Sequence, residues 1–108
     1  MRFVGKFKGE GSTTNISTND VLTTNEFSSR VKIEEIYEGR FKATIKYKNK
    51  TTGEKYVYSF VFFEKDKKLY SGNNGYDIFY FKDGKLIHDF TNIASDTNGK
   101  SVGKYIYI

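Results

Sequence analysis

The run from Lys55 to Phe63, Lys-Tyr-Val-Tyr-Ser-Phe-Val-Phe-Phe, constrains the fold more than any other stretch. Aromatic and β-branched residues dominate it, and these types suit a pleated, buried surface. Side chains alternate across a strand, so Tyr56, Tyr58, Phe60 and Phe62 point one way. Val57, Val61 and Phe63 point the other. With apolar groups on both faces, the segment reads as a central strand that needs neighbours.

Those neighbours are visible in the pattern. Residues 40–48 give the cleanest alternation, with Phe41, Ala43, Ile45 and Tyr47 inward and Arg40, Lys42, Thr44, Lys46 and Lys48 outward. Further strands are expected at 2–8, 27–37, 69–71, 76–82, 85–90 and 101–108. Turns fall at Glu38-Gly39, Thr52-Gly53, Gly72-Asn73-Asn74-Gly75 and Asp83-Gly84, all rich in residues that tolerate turn backbones. Gly9-Glu10-Gly11 reads as an end or bend of the first strand. Residues 12–26 are rich in Ser, Thr and Asn and allow two readings, a polar loop or a weak second strand near 12–18. A structureless loop of that length is uncommon, which favours some structure there.

Seven or eight short strands without a helix point to a single all-β domain over residues 1–108. The expected architecture is an antiparallel up-and-down β-barrel, with a β-sandwich as the alternative. The chain has 108 residues, and its apolar content of 37% is carried by ten Phe and nine Tyr. The absence of proline leaves every strand free to be central. The terminal Tyr105-Ile-Tyr-Ile108 makes sense if it pairs with the first strand, which would close a barrel and remove its edges.

Composition also narrows function. With no cysteine there is neither a disulfide nor a thiolate metal ligand. The opening residues lack a signal-peptide block, and no apolar run is long enough to span a bilayer, so a cytoplasmic chain is expected. The sequons at Asn15 and Asn49 then read as chance. A net charge of +5 permits anionic partners without requiring one. Arg40, Lys42, Lys46, Lys48, Lys50 and Lys55 gather on one hairpin, but no rings share their face. A solvated outer wall explains them better than a single-stranded nucleic acid site.

The sequence contains no hydrolase constellation, and Glu34 and Glu35 point to opposite faces. Asn73 and Asp77 read as turn residues in preference to calcium ligands. His88, the single histidine, shares parity with Leu86 and Phe90 and reads as interior. Asp89 lies on the opposite face and cannot pair with it. The residues call for no cofactor.

The segment Gly5-Lys-Phe7-Lys-Gly9-Glu-Gly11 resembles the first strand of calycin barrels, the lipocalin-like superfamily. It is similar to the nitrobindin-type pattern Gly-x-Trp-x-Gly-x-Gly, with Phe7 in place of Trp and without the Tyr-Pro that follows. The resemblance implies a cup with an apolar lumen. It also implies a basic residue from the last strand over the first-strand ring, here Lys104, and a haem-binding His near the chain end, for which His88 is the candidate. The plainer reading of His88 is a satisfied core histidine.

The expected function is a non-enzymatic binding protein that holds a small apolar or aromatic ligand in the barrel. Phe7, Tyr37, Tyr47, Tyr58, Tyr80 and His88 are the expected lumen residues. The rival is a protein–protein interaction module or inhibitor, homo-oligomeric or docked to a partner protein. It would act through the basic hairpin and an exposed patch of Val57, Val61, Phe63, Phe79 and Phe81.

Overall fold

The computed structural model describes residues 3–71, 75–93 and 99–108, with only the backbone described for Gly75 and Ile93. The Gly72–Asn74 part of one expected turn, Asn73 included, lies outside these residues, as does the segment 94–98. Among the described residues eight strands form one closed barrel in sequence order, every neighbouring pair antiparallel. They are β1 (Gly5–Ile16), β2 (Leu22–Tyr37), β3 (Arg40–Asn49), β4 (Lys55–Lys65), β5 (Lys68–Ser71), β6 (Gly75–Lys82), β7 (Lys85–Ile93) and β8 (Lys100–Tyr107). The expected barrel is therefore present, and the sandwich is not.

The polar stretch 12–26 resolves into strand. β1 runs through Gly9 and Gly11 to Ile16, and β2 starts at Leu22, with Ile16 paired to Leu22. Ser17 organises the turn between them. Its Oγ accepts the Val21 amide at 3.1 Å, and its backbone carbonyl accepts the Asp20 amide at 3.0 Å. The glycines do not end the strand. They let it lie against β8, where Gly9 pairs with Tyr107 and Gly11 with Tyr105. A Cβ on Gly9 would press on the Ile106 carbonyl oxygen and sit 2.6 Å from Tyr107 Cα; one on Gly11 would sit 2.7 Å from Tyr105 Cα. Real Cβ atoms do not approach backbone that closely, so the closing seam requires glycine at both places.

One half of the lumen is packed solid. Phe41, Ala43, Ile45, Phe62, Leu69, Phe79, Tyr105 and Tyr107 are wholly buried. Phe3, just before β1, caps this end, with its ring 5.1 Å from Phe81 and 6.5 Å from Phe41. Fully burying one such ring stabilises the fold by about 1.5–3 kcal/mol. Tyr107 donates to or accepts from Ser29 Oγ at 2.7 Å, and Tyr105 and Thr13 Oγ1 are likewise 2.7 Å apart, so two interior hydroxyl pairs tie β8 to β2 and β1.

Two expectations about facing are corrected. Phe79 is buried in the core, and Phe81 packs inward against Phe3 and Phe7, so neither belongs to an outer patch. Val57, Val61 and Phe63 do lie exposed on the outer wall of β4. The alternation of β6 was ambiguous because its other face is also covered: Ile78 is buried although it lies outside the lumen cluster.

Three sets of variants check this architecture. Gly9→Ala and Gly11→Ala should each destabilise the fold by at least about 2 kcal/mol in urea melts, since overpacking against backbone cannot relax through a side chain. Phe79→Lys should abolish cooperative unfolding, because it buries a charge and removes a core ring. Phe63→Lys should shift the melt by less than about 0.5 kcal/mol, as expected for an exposed wall position.

Candidate functional site

The half of the barrel away from Phe3 is hollow. A cavity of about 360 Å³ opens between the end of β1, the start of β2, the β3–β4 hairpin, the end of β7 and the start of β8. Its rim is polar, with Asn15, Asn25, Asn49, Asn92 and Ser101. Their side chains hold the loop ends: Asn49 Oδ1 accepts the Thr51 and Thr52 amides at 2.8 and 3.1 Å, and Ser101 Oγ donates to Asn15 Oδ1 at 2.6 Å. Below the rim the wall is aromatic. Tyr47 meets Phe27, Tyr58 and Tyr105 edge-on at 6.0, 5.9 and 5.1 Å, and Tyr105 stacks with Phe90 at 6.1 Å. Such edge and offset contacts hold the rings in fixed orientations.

At the floor lies a pair that strand periodicity hides. Asp77 of β6 and His88 of β7 are both buried, and His88 Nε2 donates to Asp77 Oδ1 at 2.5 Å. The His88 ring stacks on Phe79 at 4.1 Å, with the planes only 8° apart, and Phe90 covers it from 5.2 Å. Nδ1 is sealed from the cavity and meets no hydrogen-bond partner. Asp77 is thus no turn residue. It sits within β6 on the same face as Phe79, diagonal to His88, with Phe90 as its own ladder partner. Its parity with Phe79 and Phe81 was the available signal. An Asp between aromatic residues on a buried face is costly unless it has a partner, and the single histidine is that partner.

The remaining expected lumen residues separate into two groups. Tyr47, Tyr58 and His88 line the cavity. Phe7 points inward but packs at the closed end, 6.2 Å from Phe81. Tyr37 is exposed, because a register shift between Glu35 and Tyr37 ends the alternation before it. Tyr80 faces outward, where it donates to Asp89 Oδ2 at 2.8 Å under the Lys68 ammonium. Lys104 is exposed on the outer face of β8, paired across from Asp89, and does not cover Phe7. Sequence reasoning missed Asp77, Phe27, Tyr56, Phe90 and Tyr105 as cavity residues.

The site does not fit haem. Axial ligation needs an imidazole nitrogen directed into open space. Nε2 is engaged by Asp77, and Nδ1 is enclosed. Among the described residues no three His, Asp or Glu side chains group as metal ligands. No helix among them is long and apolar enough to cross a membrane.

Tyr47 and Tyr105 in the cavity wall keep their protons. Burial pushes the Tyr47 hydroxyl far up, with the phenols of Tyr107 and Tyr105 and the carboxylate of Asp77 adding to it. Burial also raises Tyr105 to about 12, against a lowering by its Thr13 hydrogen bond. Below pH 10 the folded and unfolded chains both hold these protons, and the stabilisation is fully present. Between pH 10 and about 12 the unfolded chain releases the Tyr105 proton while the folded chain retains it. Stability should therefore fall through that window. Urea melts followed alongside tyrosinate absorbance check this, and Tyr105→Phe should flatten the slope.

No family model matches this sequence, and no curated protein matches it. In structure the chain is similar to an S-type phycobiliprotein lyase from Guillardia theta, with a TM-score of 0.55 and 11% sequence identity, covering 99% of this chain and 88% of that one. At that identity the likeness extends to the fold alone, a closed eight-stranded barrel.

Proposed function

We propose that this protein is a non-enzymatic carrier or receptor for a small, largely aromatic or apolar ligand, held in the open half of the barrel. The observation that carries the reading is the division of the lumen. One half is filled to the axis by Phe3, Phe41, Phe62 and Phe79, whereas the other leaves about 360 Å³ walled by rings and rimmed by amides. Small barrels either pack their interior or hold one ligand, and this chain divides the two uses between its ends. Concave apolar sites with a few convergent polar groups are the usual form of a ligand pocket. The structural neighbour, a phycobiliprotein lyase by its name, supports the reading only through the shared closed barrel.

A carrier accounts for the site better than a catalyst. His88 is clamped between Phe79 and Phe90 with one nitrogen engaged and the other enclosed, so it has no free atom with which to exchange a proton with a bound molecule.

Binding of the neutral dye N-phenyl-1-naphthylamine tests the proposal. Its fluorescence should rise on mixing with the protein. Asn25→Trp, which fills the mouth from a half-exposed rim position, should weaken binding at least about tenfold while leaving the melt unchanged. Equal binding by the variant would move the site elsewhere, and no binding by either protein would refute the pocket reading. Native mass spectrometry of the purified chain reports any retained ligand directly.

A further inference from the structure

We infer that the ligand is an organic cation, an aromatic or apolar molecule that carries one ammonium group, with Asp77 as its counter-ion. The inference rests on the pocket reading above and specifies its chemistry.

The charge inside the cavity is opposite to the charge outside. The chain carries +5 overall, yet among the described residues lining the cavity there is no Lys or Arg and a single carboxylate, Asp77. That carboxylate is buried at the floor, and its one hydrogen-bond partner among the described residues is His88. His88 Nε2 takes Oδ1, and no hydrogen bond among the described residues engages Oδ2, so half of the carboxylate is left for a molecule in the cavity. A carboxylate oxygen gains most from a charged donor, and an ammonium is the donor that no described cavity residue supplies.

The walls suit the same ligand. Tyr47, Tyr58, Phe60, Phe27 and Phe90 surround the space above Asp77, and all of them line the cavity. Ring faces attract a cation within about 6 Å of their centroid, and cages of several rings around one carboxylate discriminate for amines. The polar rim of asparagines adds neutral donors and acceptors but no competing positive charge. Burial keeps Tyr47 protonated, so that no second anion forms beside Asp77.

A matched pair of probes tests the inference. Tryptamine carries the ammonium, and 3-propylindole is its neutral isostere. The chain has no tryptophan, so indole emission reports the probe alone. Tryptamine should bind the wild-type protein at least about tenfold more tightly than 3-propylindole, as one charge-assisted contact predicts. Asp77→Asn should bring that ratio close to one, by weakening tryptamine far more than 3-propylindole. Equal affinities in the wild type would overturn the cation class and leave the ligand pocket standing. Failure of both probes to bind would overturn the pocket reading as well. If Asp77→Asn does not fold, Tyr58→Leu decides. This ring is half-exposed, and its loss should weaken tryptamine more than 3-propylindole. An equal loss for both would count against the aromatic cage.

Discussion

Contact between the backbones of β1 and β8 is the constraint on which everything else in this barrel depends. Gly9 and Gly11 allow β8 to approach where any Cβ would collide with Ile106 or Tyr105. Closing a sheet into a cylinder demands sharp coiling, and two glycines on one face of β1 at the seam allow it. Once the seam is shut, Tyr105 and Tyr107 are inside and can reach Thr13 and Ser29. These partners are far apart in sequence, 92 and 78 residues. The entropy of closing such long loops grows slowly with length, so the cost falls mainly on the rate of folding.

Closure also sets the division of the lumen. At the Phe3 end, rings from several strands meet on the axis. At the other end β1 and β2 carry Thr13, Asn15 and Asn25 inward, side chains too short and polar to fill it. The cavity is thus a consequence of composition: the polar segment that looks like a loop is the wall of a pocket. The same change in composition brings the lone histidine and its carboxylate to the junction between the packed and hollow halves. A buried carboxylate is tolerable there because His88 engages it.

The fold was legible because alternation is strong where one face meets water. Residues 40–48 declare their facing through lysines, and the structure follows them. Legibility failed where both faces are apolar. On β6, Phe79 and Phe81 compete with Ile78 and Tyr80, and periodicity alone cannot choose between them; the wrong choice sent Tyr80 inward and hid Asp77. Tyr37 was misplaced for another reason, since a local register shift near Glu35 is invisible in a hydrophobic pattern. The polar start of β2 carries no apolar alternation, so its strand was legible only through the improbability of a long loop. Tyr47, Tyr58 and His88, expected as lumen residues, line the cavity. Asp77 was not expected among them, because pairing between β6 and β7 is information that single-strand patterns do not hold.

The two ends of the barrel carry different burdens. The wholly buried rings of Phe41, Phe62 and Phe79 gather at one end, so the burial that keeps the cylinder shut does not depend on what the other end contains. Rim positions such as Asn25 and Asn92 border the open space instead. Substitution along the rim can therefore reshape that space while the core holds the sheet closed, which makes stability and cavity shape separable properties of this chain.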